Sequence, residues 1–98
     1  MEIVKTQTQD QLDVKVSGRL DTSTAPQLSD ELGTLDGVKN LVFDFADLEY
    51  VSSAGLRVLL ASQKIMNVNG KMSLKNVNDS IMEVFEITGF SDIFTVEK

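Results

Sequence analysis

Residues 41–60 read Leu41-Val42-Phe43-Asp44-Phe45-Ala46-Asp47-Leu48-Glu49-Tyr50-Val51-Ser52-Ser53-Ala54-Gly55-Leu56-Arg57-Val58-Leu59-Leu60. The stretch opens almost unbroken in apolar character, with Asp44 its only interruption before Phe45. A run that short predicts a central strand, over 38–45, covered on both faces. From Ala54 onward the pattern changes. Leu56, Leu59 and Leu60, continued by Val58, Ala61, Gln63 and Ile65, form a wide stripe at helical spacing. It predicts a helix over 54–67 that Asn69-Gly70 terminates. Residues 46–51 read as a loop, followed by the pair Ser52 and Ser53. A strand feeding a helix through a short loop is the repeating unit of an α/β sheet.

The flanking sequence extends that unit. Leu12, Val14 and Val16 alternate with Asp13, Lys15 and Ser17, the period of a half-buried strand, and Gly18 ends it. Ile3-Val4-Lys5-Thr6 is a weaker strand, and the polar tract 7–10 suits an antiparallel connection between the two. Thr24, with Gln27 three residues on, reads as a capping box, and Pro26 falls in the first turn, where its missing N–H costs nothing. Ala25, Leu28 and Leu32 share a face, and Gly33 closes this first helix. Downstream, Met72-Ser73-Leu74 is a short strand. Asn78 or Asp79 caps a third helix carrying Ile81, Val84, Phe85 and Thr88, and Gly89 closes it. Ile93-Phe94-Thr95-Val96 is a final strand. The order β-β-α-β-α-β-α-β predicts an α/β fold with a mixed sheet of about five strands, parallel in its later part.

Composition bounds the chemistry. The 98 residues suit a single domain, 1–98, with no linker or repeat. There is no cysteine and no histidine. The commonest metal ligand and the commonest general base near neutral pH are therefore missing. A serine hydrolase would have to use Lys64 or Lys71 as its base. No G-x-S-x-G elbow, P-loop or G-x-G-x-x-G occurs. The net charge of −6 and the lack of a Lys/Arg cluster speak against nucleic acid. The acidic surface suits either plain solubility or a partner with a basic patch. The N-terminus lacks a signal-peptide pattern. The longest apolar run, Val58-Leu59-Leu60-Ala61, falls far short of the about 20 residues that span a bilayer. A cytoplasmic protein with no membrane partner is expected.

The candidate site is the junction of the central strand with the strongest helix, where loops and helix N-termini form sites in open α/β sheets. Either serine can cap the helix. One hydroxyl suffices for that, and the other is then a candidate for phosphorylation. A phosphate would meet free N–H groups at the helix start, so the fold need not break while the surface changes sign and size. Gly55 reads either as close packing against the sheet or as clearance for another molecule. Asp21 reads either as an Asx-type cap of the first helix or as a contact for a basic partner group. Arg57 is a solvated helix residue or a partner contact. Met66 and Met72 read as core filler.

The stretch Asp47-Leu48-Glu49-Tyr50-Val51-Ser52-Ser53-Ala54-Gly55-Leu56 resembles the signature of STAS domains in bacterial anti-sigma factor antagonists. The family pattern there is roughly D-L-x-φ-φ-D-S-[ST]-G-L, with the serine after the aspartate phosphorylated. Gly18-Arg19-Leu20-Asp21 resembles the family's G-x-[LI]-D, and Val84-Phe85-Glu86-Ile87-Thr88-Gly89-Phe90 its closing L-F-x-x-x-G-[LF]. The resemblance implies a STAS-type mixed sheet with helices mainly on one face. It places Ser53 at the phosphoacceptor, puts Ser52 where the family has aspartate, and leaves Ser52 as the rival acceptor. It also implies a partner surface formed by Asp21, Thr22, Ser23, Ser52, Ala54, Gly55, Leu56 and Arg57.

The function implied is partner switching by a non-enzymatic monomer or weak dimer. The unphosphorylated domain binds an anti-sigma factor that is also a GHKL-type serine kinase, and so frees a sigma factor. Phosphorylation of Ser53 ends the complex, and a metal-dependent serine phosphatase resets it. The chain itself needs no cofactor, since ATP and metal belong to those partners. The alternative is a scaffolding STAS protein, stressosome-like or part of a transport complex, without a phosphorylation switch.

Overall fold

Leu12, Val14, Val16 and Leu20 are all buried, and the strand that carries them, β2 (Gln11–Leu20), is the longest of the sheet. The structure is a computed structural model and describes residues 1–97. β1 (Glu2–Thr8) pairs antiparallel with β2 in the expected hairpin, from Glu2 opposite Ser17 to Thr8 opposite Gln11. The remaining elements are α1 (Ala25–Leu32), β3 (Asn40–Asp44), β4 (Leu48–Val51), α2 (Ser53–Asn69), β5 (Lys71–Lys75), α3 (Asp79–Thr88) and β6 (Thr95–Val96). The main sheet runs β1-β2-β3-β5-β6, and every pairing after the hairpin is parallel.

Three expectations are corrected by this architecture. Gly18 does not end β2. It adopts φ +87°, and the pairing slips there: Gly18 lies opposite Leu48 and Arg19 opposite Tyr50, so Glu49 is an extra residue. This is a β-bulge, which bends and twists a strand without stopping it. Residues 48–51 are accordingly not loop but β4, paired with the upper end of β2. Nor is β3 covered on both faces. Leu41 and Phe43 are buried, but Val42 is only half-buried. The outer side chains of its neighbours, Asp13, Lys15, Ser73 and Lys75, are likewise not fully buried. All three helices lie against the other side of the sheet.

That covered side holds one continuous core. Leu28 of α1, Leu59 and Met66 of α2, and Ile81 and Phe85 of α3 meet Val14, Leu41, Phe43 and Leu74 from the strands. Phe85 and Phe94 pack edge to face with centroids 5.5 Å apart, a favoured aromatic arrangement. Met66 and Met72 are both in this core, as filler residues. The last strand begins two residues later than its sequence pattern, because Phe90–Asp92 forms a 3-10 turn. In α3, Asn78 rather than Asp79 is the cap: its side-chain oxygen accepts from the Ile81 N–H at 2.9 Å.

Candidate functional site

Parallel pairing of β2 with β4 sets Leu20 opposite Val51, so the chain leaves both strands at the same end of the sheet. The next residues are Asp21 and Ser52. The Ser52 N–H donates to the Leu20 carbonyl at 2.8 Å, which continues the ladder into the site. The two loops named from sequence are therefore neighbours.

On the first loop Asp21 is the organising residue. Its carboxylate accepts from the Ser23 N–H at 3.0 Å, the Ser23 hydroxyl at 2.8 Å and the Thr24 N–H at 3.1 Å. These bonds, the Ser23 hydroxyl foremost, together hold its carboxyl below the usual carboxylate range against the opposing effect of desolvation. The Thr24 hydroxyl accepts from the Asp21 N–H and donates to the Arg19 carbonyl, both at 2.8 Å. Thr24 thus does not close a capping box. Its own side chain makes no cap to α1, and the Asp21 carboxylate closes an Asx-type turn onto Ser23 and Thr24 that leads into the helix. Thr22 and Ser23 are exposed.

On the second loop the serines divide. Ser52 is the N-cap of α2, in extended conformation, with its Oγ accepting from the Gly55 N–H at 3.3 Å. Ser53 is the first helical residue and is exposed. The helix therefore begins one residue earlier than its apolar stripe does. Gly55 is buried against the sheet. A Cβ there would lie 2.7 Å from Leu20 Cγ and 3.0 Å from both the Leu20 carbonyl oxygen and Val51 Cγ2. Close packing is what this glycine serves. Leu56, placed on the partner surface by the family pattern, is 5% exposed and belongs to the core. Gly55 and Leu56 thus shape the surface from beneath. Ala54 is half-buried, and Arg57 is exposed one turn on from Ser53.

Two further residues flank the site without having stood out in the sequence. The Arg19 guanidinium lies over the Tyr50 ring, 4.2 Å from its centroid, and its Nε is 3.8 Å from the Asp21 carboxylate. Only knowledge of the β2–β4 pairing puts Arg19 opposite Tyr50, and β4 itself was hidden by its bulge. Among the described residues no group of three or more carboxylates is arranged to hold a metal ion. No described helix is long and apolar enough to cross a membrane.

The family model of the STAS domain matches residues 2–98. The chain belongs to the STAS family. The anti-sigma-B factor antagonist of Staphylococcus aureus (strain NCTC 8325 / PS 47) is 34% identical to this STAS chain over 99 residues, covering 97% of it and 92% of the relative. Two solved structures share the fold. One is the anti-sigma factor antagonist SpoIIAA in its unphosphorylated form, with TM-score 0.84 and 19% identity over 99% of this chain and 89% of the other. The second is the Bacillus cell fate determinant SpoIIAA in the phosphorylated form, with TM-score 0.77 and 19% identity over 99% and 92%. The family and the STAS-type mixed sheet expected from the motifs are thus established, with six strands among the described residues where about five were expected.

Proposed function

We propose that this STAS chain is an anti-sigma factor antagonist controlled by phosphorylation of Ser53. In its unphosphorylated form it binds an anti-sigma factor that is also a GHKL-type serine kinase, and thereby releases a sigma factor. The observation that carries the reading is the division of labour at the start of α2. Ser52 spends its side chain on the cap, while Ser53 stands exposed in the first turn. The 34% identity to an anti-sigma-B factor antagonist over nearly the whole chain supports the same reading.

Phosphorylation at Ser53 adds about two negative charges and three acceptor oxygens next to the N–H groups of the first turn. The helix N-terminus tolerates that anion, so the domain stays folded. Beside it, Asp21 already carries a carboxylate held ionised by its own turn. The dianion turns a mixed surface strongly negative and bulky, and the kinase leaves. A metal-dependent serine phosphatase restores the hydroxyl. The chain acts as a single cytoplasmic binding unit, a monomer or weak dimer, and performs no turnover itself.

The test is incubation with an anti-sigma factor kinase and ATP, followed by mapping of the phosphate by mass spectrometry. Modification at Ser53 is the expected result. Ser53→Ala is expected to bind the kinase constitutively and Ser53→Asp to bind weakly. Phosphate on Ser52 alone would move the switch by one residue. A chain that stays unmodified and forms a stable higher assembly would instead be a scaffolding STAS protein.

A further inference from the structure

The guanidinium of Arg19 is oriented but unspent. It is fixed in direction by the Tyr50 ring, 4.2 Å below it, and by the Asp21 carboxylate at 3.8 Å, too far for a hydrogen bond. Among the described residues none of its five N–H donors is used in a hydrogen bond. The loop bonds to Ser23 and Thr24 all fall on Asp21 Oδ1, and Oδ2, which faces Arg19, stays at ion-pair distance without a hydrogen bond to it.

Nothing in the fold requires a cation here. Leu20 and Val51, the next pair along the two strands, point into the core and close the β2–β4 contact by themselves. Arg19 and Tyr50 stand on the outer side, with the Arg19 side chain 61% exposed. An exposed cation on an aromatic ring contributes little to stability, and an exposed pair at this distance contributes little more. The same arrangement is well suited to recognition. A planar guanidinium already turned outward loses less freedom when a carboxylate docks on it in bidentate fashion.

We propose that Arg19, mounted on Tyr50, is a specificity contact of the docking surface and reads a carboxylate side chain on the kinase. The inference rests on the Ser53 reading, because it needs that partner to bind at this end of the sheet. Its position supports this: Arg19 lies two residues before Asp21 on β2, and Tyr50 three before Ser53 on β4. The recognition surface thus extends from the helix start onto the rim of the sheet, and it sets a cation that makes no side-chain hydrogen bond among the described residues beside an anion whose Oδ1 is committed to its own loop.

The experiment is calorimetric titration of the unphosphorylated chain with the kinase that modifies Ser53. Arg19→Ala is expected to weaken binding about tenfold, and Arg19→Glu further, since it sets two carboxylates against each other. Arg19→Lys recovers part of the loss, and Tyr50→Leu falls between wild type and Arg19→Ala. Added salt narrows all these gaps. Melting temperatures of the variants stay at the wild-type value, which separates docking from folding. Binding of Arg19→Glu within about twofold of wild type, with Ser53 phosphorylated normally, overturns this inference alone. Absence of phosphorylation at Ser53 in the wild-type chain overturns the Ser53 reading and this inference with it.

Discussion

Gly55 and Leu20 stand so close that a methyl group on Gly55 would come within 2.7 Å of Leu20 Cγ and 3.0 Å of the Leu20 carbonyl oxygen. That contact seats the start of α2 on the upper end of β2. Gly55→Ala gains helix propensity, worth up to about 1 kcal/mol, but forces the helix off a strand backbone. Overpacking of this kind costs about 1–3 kcal/mol, and the steric cost wins. A fall in melting temperature of about 4–8 °C per kcal/mol is expected for a domain of this size, measured by thermal unfolding. An unchanged or raised melting temperature would mean that the helix shifts without cost.

The caps of α2 and α3 differ in what they carry. Ser52 makes one cap bond of 3.3 Å, and Ser52→Ala should cost about 0.5–1 kcal/mol, the low end for a cap. Asn78 makes two bonds: its oxygen accepts from the Ile81 N–H and its amide donates to the Leu48 carbonyl, both at 2.9 Å. Asn78→Ala should cost more, about 1–3 kcal/mol, because it also strips the Leu48 carbonyl of that donor. Asn78→Asp keeps the cap but sets a carboxylate against the carbonyl, and it should not match wild type. Urea unfolding of the three variants checks the order.

Acid should loosen the first loop. The Asp21 carboxyl is held below its ordinary range in the folded chain, chiefly by the Ser23 hydroxyl. Its contribution to stability is therefore full above the unfolded value near pH 4 and is lost as the pH falls through the lower folded value. The Asp44 carboxyl moves in the same direction. Partial burial pushes it up, but the Asn76 amide, the Ala46 N–H and the charges of Lys75 and Lys15 outweigh that. Asp21→Asn should flatten the decline of melting temperature below pH 4 and leave the slope near pH 7 unchanged. An acid limb as steep as wild type would count against this account.

Gln63 is a buried polar residue on α2 whose Nε2 donates to the Asn67 side chain at 2.9 Å, while its Oε1 has no partner among the described residues. An unpaired buried acceptor costs about 1–3 kcal/mol, more than the roughly 1 kcal/mol returned by a neutral hydrogen bond. Gln63→Met, close in volume and without the orphan oxygen, should raise the midpoint of chemical unfolding. A lower midpoint would show that the amide earns its place.

The parts of the fold that were readable in the sequence are those whose signal is periodic and local. The alternation in β2, the stripe of α2 and the third helix all carry their burial pattern in their own residues. What escaped was set by a distant partner. β4 runs Leu48 in, Glu49 and Tyr50 out, Val51 in, a pattern that the bulge opposite Gly18 creates and that no period-two test recognises. Gly18 looked like a terminator because glycine at positive φ commonly ends strands; here it lets one bend and continue. Thr24 and Asp21 both have cap chemistry, and only the loop geometry decides between them. At the site, Ser52 and Ser53 were equivalent as letters. The helix phase separates them, turning one inward to the Gly55 N–H and leaving the other outside, and the same phase sends Leu56 into the core.

β2 belongs to three ladders, one of them the antiparallel hairpin with β1. In its two parallel ladders, Gln11–Lys15 pairs with β3, and Gly18–Leu20, across the bulge, pairs with β4. Within the sheet, the proposed switch region is consequently attached through the upper end of one strand, while Leu48 and Val51 root it in the core and Asn78 ties the Leu48 carbonyl to α3. In hydrogen-exchange terms, the amides of β4 and the first turn of α2 are expected to exchange ahead of those in the ladders of β3 and β5. If the proposed partner grips that end, it has a small piece of protein to reshape, and the floor beneath it does not have to melt.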